Sequence, residues 1–225
     1  MRIRTLFSLL LVFILIWILN GGCNSTVPDD EAIKILNIDY KYQISGDISY
    51  DIFPEDDYSS LELAYKKAYI KIEVNKPGGF PSTDSYPRYW DDLVWDISTR
   101  MPNENPWYLE SGIAPEDDND WCSQDYYGFA LMDLPYYSFS LVFTGKICDE
   151  FNNAKVAAEM VAIHEMGHQY GHLSDKYLSP WDHDICTDDP CCIMDQLYSN
   201  MGYVIEWYDF CSKCIDSLRK VNWEY

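Results

Sequence analysis

The chain has 225 residues with 48% hydrophobic and 16% aromatic content, enough for one domain with a sizeable core and too apolar for a disordered segment. A formal charge of −21, from 16 basic against 37 acidic side chains, argues against nucleic acid as a partner, since such binding neutralises phosphates with Lys and Arg. The same charge disfavours docking on an anionic membrane surface.

The first stretch reads as an export segment, residues 1–23. Arg2 and Arg4 precede an apolar run over 6–19, shorter than the roughly 20 residues that span a bilayer comfortably. Asn20-Gly21-Gly22-Cys23 is similar to a lipoprotein processing site, at which Cys23 would carry the lipid. The protein is therefore expected outside the cell or on its surface, touching membrane only through this segment or its anchor. Residues 24–32 read as a polar tether, and 33–225 as the working domain, expected to be monomeric.

Within that domain, residues 33–45 predict a strand rich in Ile and Tyr. Residues 46–57 read as a loop. The apolar spacing over 59–74 predicts a helix whose tail, 69–74, alternates enough to be a strand instead. Lys76-Pro77-Gly78-Gly79-Phe80-Pro81 predicts a turn. Residues 89–100 fit helix or strand. Residues 102–120 predict a long loop rich in Pro and Asp, read first as a solvated acidic surface and second as a calcium (Ca2+) site. Residues 126–133 and 137–143 predict two strands of a hairpin.

A long helix follows, with Asn152-Asn153 placed to cap it. Ala157, Val161, His164 and His168 fall on one side, and Gly171 is expected to end the helix as a C-terminal glycine. This helix carries His164-Glu165-Met166-Gly167-His168. Residues four apart share a helix face, so His164 and His168 can point two imidazoles at one metal ion. Glu165, one step round, can take the proton of a metal-bound water during attack on a peptide carbonyl. Two histidines at that spacing also occur by chance. All four histidines of the chain, however, fall between positions 164 and 183. The pattern therefore predicts a zinc site for peptide hydrolysis, with Glu165 as the base.

A third protein ligand is required, and position 174 is serine, a poor zinc ligand. His183 leads the candidates, followed by Asp175. His172 would have to bend back to the ion, and Glu206 would supply the ligand if a later helix did so. Downstream come Cys186, Cys191-Cys192-Ile193-Met194 and Cys211-Ser212-Lys213-Cys214. Four cysteines with this grouping fit a tetrahedral thiolate zinc site, or disulfides in an oxidising compartment. Cys122 and Cys148 are candidates for a disulfide on the same ground. Beyond Cys23 seven cysteines remain, so pairing within the chain leaves one over.

HExxHxxG, then Cys186 through Met194, then CxxC together resemble the archaemetzincins, a branch of the metzincin zinc peptidases. The resemblance covers about residues 150–215. It implies an α/β (α+β) zincin domain: a mixed twisted sheet with two long helices and the HExxH helix over 33–171, and a small C-terminal subdomain over 172–225. It also implies His164 and His168 as ligands of a catalytic zinc (Zn2+), Glu165 as general base, and Met194 as the methionine of the turn beneath the ion. A second, structural zinc would sit on Cys186, Cys192, Cys211 and Cys214. The family has G-x-x-H-C, whereas Gly171 here is followed by eleven residues before His183 and two more before Cys186, which reads as an insertion. The Cys186–Cys192 spacing is then one residue long, and Cys191 is an alternative ligand. Tyr198 is a candidate hydrogen-bond donor to the tetrahedral intermediate. The competing functional class is a surface binding lipoprotein stabilised by zinc or disulfides, which has no need of a carboxylate at position 165.

Overall fold

Strand β1, Lys34–Ser45, sends Leu36, Ile38 and Tyr40 into the main core at alternate positions, the period that one face of a strand requires. The computed structural model describes residues 34–81, 90–101, 107–113, 126–133, 137–171, 173, 192–194 and 209–221. All of them belong to the unit Ala32–Tyr225. A two-residue strand, β2 (Ile48–Ser49), turns back antiparallel on the end of β1, inside a stretch expected to be loop.

Helix α1 is Ser59–Lys66 and buries Ser60, Leu61, Ala64 and Tyr65 on one face. It is half the length of the continuous helix expected over 59–74. The helix closes through Ala68 N–H to Tyr65 O and Tyr69 N–H to Lys66 O, and Tyr69 takes a left-handed φ of 60°. A non-glycine residue held there costs about 1–3 kcal/mol. Arg219 packs its guanidinium over the Tyr69 ring at 4.3 Å and donates to Lys67 O at 2.8 Å, so the reversal is fixed from outside.

Strand β3, Ile70–Pro81, follows, parallel to β1. It takes up the alternating tail and then continues through Lys76-Pro77-Gly78-Gly79, which corrects the expected turn. Among the described strands β3 pairs with β1 alone, so the missing N–H of Pro77 leaves no ladder bond unmade on its outer edge. A bulge absorbs the extra residue: Asp39 faces Asn75 but Lys41 faces Gly78, whose φ of 112° suits glycine.

Helix α2 is Trp90–Arg100, resolving that ambiguity as helix. Strand β4, Tyr108–Ser111, overturns part of the expected loop over 102–120: it is wholly buried and lies between β1 and the last strand, parallel to both. Its polar residues hid it. Glu110, 3% exposed, takes hydrogen bonds from Arg100 Nη2 and Nε at 2.6 and 3.1 Å and from Tyr108 OH at 2.7 Å. Ser111 Oγ donates to Tyr50 O at 2.7 Å.

Strands β5 (Gly128–Asp133) and β6 (Tyr137–Val142) form the expected antiparallel hairpin. The sheet is mixed, in the order β2-β1-β4-β6-β5 with β3 on β1. Helix α3 (Thr144–Glu150) was not anticipated; α4 is Ala154–Gly171 and α5 is Ser212–Lys220. Of the two long helices expected beside α4, α1 and α2 have only 8 and 11 residues.

The sheet separates two cores. Leu109 and Val142 join the main core with α1 and α4, while Tyr108, Phe139 and Leu141 join a smaller one with Ile97 of α2. The α4 side of β6 carries Ser138 and Ser140, small residues that let the helix approach closely. Among the described residues no helix is long and apolar enough to cross a membrane.

Candidate metal centre

Helix α4 is buried along most of its length, so its two histidines enter the site from the core side rather than from a solvent face. His164 is 4% exposed and His168 is half-buried. The rings stand edge to face with centroids 4.6 Å apart, and their Nε2 atoms are 2.9 Å apart.

The other nitrogen of each ring settles what those Nε2 atoms can be. His164 Nδ1 lies 2.8 Å from the carbonyl oxygen of Ile193, and His168 Nδ1 lies 2.5 Å from that of Leu173. A carbonyl oxygen only accepts, so each Nδ1 carries the hydrogen and donates it. In the neutral rings both Nε2 atoms are then lone pairs, and they face each other. Such a pair repels unless an electrophile is shared between them. Backing of each imidazole by a main-chain carbonyl is also the usual outer shell of a metal-binding histidine. Metal–nitrogen bonds of about 2.0–2.1 Å in a tetrahedron put two ligand atoms about 3.3 Å apart, close to the spacing seen. The donor set fits zinc.

Glu165, 8% exposed, lies against β5. An added Cβ on Gly128 would lie 2.7 Å from Glu165 Cγ and 2.8 Å from Oε1, so the carboxylate occupies space that only glycine leaves open. Gly128 escaped the sequence reading; a glycine inside a strand pattern was the available signal of close approach. Gly167 is a second such position. A Cβ there would meet Met194 Sδ at 2.8 Å and Phe210 Cε1 at 3.1 Å, so the thioether of Met194, fully buried, is seated against the helix between the two histidines. Gly171 does end α4, but not as a left-handed cap, since its φ is not positive. Glycine is required there because Leu218 Cδ2 and Leu173 Cγ would stand 2.7 and 2.8 Å from a Cβ.

A second cluster lies two residues away along the chain. The sulfurs of Cys192, Cys211 and Cys214 all lie within 4.8 Å of one another and could hold a metal ion. Cys192 Sγ and Cys214 Sγ are 3.7 Å apart, far beyond the 2.05 Å of a disulfide. Zinc–sulfur bonds of about 2.3 Å in a tetrahedron put sulfurs about 3.8 Å apart, so this donor set fits zinc as well. The main-chain N–H of Cys211 points at Cys192 Sγ at 3.4 Å, which favours a thiolate there.

His172, Asp175, His183, Cys186, Cys191, Tyr198 and Glu206 lie outside the described residues, as do Cys23, Cys122 and the whole segment 1–33. So does most of the acidic stretch 102–120 read as a calcium site. Cys148 is exposed at the end of α3. It lines a cleft of about 510 Å³ with Ile48, Tyr50, Ile113, Gly145 and Lys146, away from His164, His168, Glu165 and the clustered thiols.

No family model matches the chain, and no curated protein matches it. Among solved structures it is similar to an archaemetzincin from Methanopyrus kandleri, with a TM-score of 0.45 and 18% identity over 86% of this chain and 97% of that one. It is also similar to a chain from a chaperone–substrate complex, with a TM-score of 0.39 and 11% identity over 61% of this chain and 23% of the other. At such values neither likeness decides the chemistry, which rests on the residues described above.

Proposed function

We propose that this chain is an exported zinc-dependent metallopeptidase of the metzincin type, acting on peptide or protein substrates. His164 and His168 hold the catalytic ion together with a third ligand, His183 or Asp175. The observation that carries this reading is the pair of hydrogen bonds from Nδ1 to the Ile193 and Leu173 carbonyls, which turns both Nε2 lone pairs onto one point. An ion held by His164 and His168 would supply Lewis acidity at that point, for activating water and polarising the carbonyl to be cleaved. Glu165, held against Gly128, accepts a proton from the attacking water and delivers it to the leaving amine. Met194 seats the histidine helix from below, and Tyr198 hydrogen-bonds the tetrahedral oxyanion. Cys192, Cys211 and Cys214, with Cys186 or Cys191, hold a second, structural zinc.

Elemental analysis of residues 24–225, paired with hydrolysis of a labelled protein substrate, tests this. Two zincs per chain are expected, with hydrolysis abolished by chelation and restored by zinc. A chain that binds no zinc would sink the proposal and leave a binding lipoprotein.

A further inference from the structure

The histidine pair and the thiol cluster share a single tripeptide, Cys192-Ile193-Met194. Its first residue supplies a thiol to the cluster. The carbonyl of its second takes the Nδ1 hydrogen of His164 at 2.8 Å. The third places its thioether against Gly167. The Ile193 N–H donates to Asp209 O at 2.9 Å, and Cys192 forms a β-bridge with Asp209, two residues before Cys211. Asp209 is in turn ion-paired with Lys67, at the end of α1. Peptide units are planar and stiff, so the direction of the Ile193 carbonyl follows the position of Cys192 within a few dihedral angles.

We infer that metal binding at the cysteine cluster and at the histidine pair is positively coupled through this tripeptide, with Cys192 and Ile193 acting as positioning residues for His164. The inference rests on the reading of His164 and His168 as zinc ligands. A metal would tie the three sulfurs, which lie within 4.8 Å of one another, to a single point; without that tie the cluster can open. Opening moves Cys192 and rotates the Ile193 carbonyl away from His164. That imidazole then loses the acceptor that fixes its tautomer, and Nε2 is no longer held as a lone pair facing His168. Outer-shell partners of this kind are worth about 10- to 100-fold in metal affinity. Filling the cysteine cluster therefore prepares the histidine pair, and the reverse holds by the same factor, since coupling of binding free energies is reciprocal.

The test measures zinc affinity on residues 24–225 by competition with a chromophoric chelator, with thiol protection from alkylation reporting which site is filled. C214S is expected to weaken zinc at the histidine pair by about tenfold or more, while C148S, at an exposed thiol away from both sites, leaves it unchanged. In the other direction H168Q weakens zinc at the cysteine cluster by the same factor, an arm that keeps the inference testable if C214S does not fold. Unchanged affinity at each site when the other is removed overturns the coupling and leaves the peptidase reading standing. A wild-type chain that takes up zinc only at the cysteines overturns both.

Discussion

The sheet body and the cysteine-bearing segment solve the problem of staying folded by different means. The body, from β1 to α4, buries aromatic and aliphatic side chains on both faces of a mixed sheet, and its buried charge is paired within itself, as Arg100 is with Glu110. The described parts of the later segment, Cys192–Met194 and Asp209–Val221, add Ile193, Met194, Phe210, Ile215 and Leu218 to the main core, together with three cysteines. They are also held by atoms aimed at particular partners. Lys34 Nζ donates to the Arg219 and Val221 carbonyls at 2.7 and 2.6 Å, Lys67 pairs with Asp209, and three thiols converge. Burial of area is independent of metal, whereas converging donors gain stability when an ion is bound between them. On the proposed reading, zinc would add stability to the later segment and not to the sheet body, with the histidine pair on the border.

Substitutions can break or sharpen that contrast. The largest effect is on activity: Glu165→Gln is expected to lower hydrolysis about 100- to 10,000-fold while zinc content stays at the wild-type level, measured by turnover beside elemental analysis. Turnover near wild type would remove Glu165 from the mechanism. Next, Arg100→Leu strands Glu110, 3% exposed, without its cation. Breaking a buried pair in this way costs about 3–5 kcal/mol, a fall in Tm of roughly 6–20 °C at 2–4 °C per kcal/mol. That fall should be the same with and without chelator, because the site lies in the metal-independent body.

Chelation of the wild-type chain should itself cost about 3–4 kcal/mol for each site saturated at 100 to 1,000 times its Kd. Hydrogen exchange should localise the loss to 192–194 and 209–221 before the sheet. Loss from the sheet first would erase the contrast. Gly167→Ala presses a methyl onto Met194 Sδ; overpacking costs about 1–3 kcal/mol, offset by up to about 1 kcal/mol of helix propensity. Thermal unfolding should show a net fall of a few degrees, larger in the zinc-loaded chain.

The smallest effect is a pH dependence within α4. Burial raises the pKa of Glu159, and the neighbouring Ser60 hydroxyl and the charge of Lys155 only partly offset it. A carboxyl harder to ionise in the folded chain than in the unfolded one opposes folding above its unfolded pKa, and the penalty fades as pH falls below that value. Glu159→Gln should therefore raise Tm slightly at pH 7 and leave it unchanged near pH 4. A gain that grows toward acid pH would show that the sign is wrong.

The placement of His164, Glu165 and His168 on one helix was legible, because it needs only the 3.6-residue period. The hairpin over β5 and β6 and the strand β1 were legible by alternation. Strand β4 was not, because four residues flanked by proline and glycine, with Glu110 and Ser111 among them, look like loop until Arg100 and Tyr50 are brought to them. The continuation of β3 through Pro77 and Gly78 was hidden for a related reason: only an edge position and a bulge make those residues acceptable in a strand.

The sequence by itself determined a folded α/β chain with a histidine-bearing helix and a run of cysteines, since composition and local periodicity act over a few residues. Tertiary structure alone decided that Gly128 makes room for Glu165, that Gly167 meets Met194, and that the Ile193 carbonyl fixes His164. Each of these joins residues about 27 to 37 apart in sequence. No local pattern records such a contact, because it exists only once the helix has packed on the sheet and the later chain has folded back beneath it.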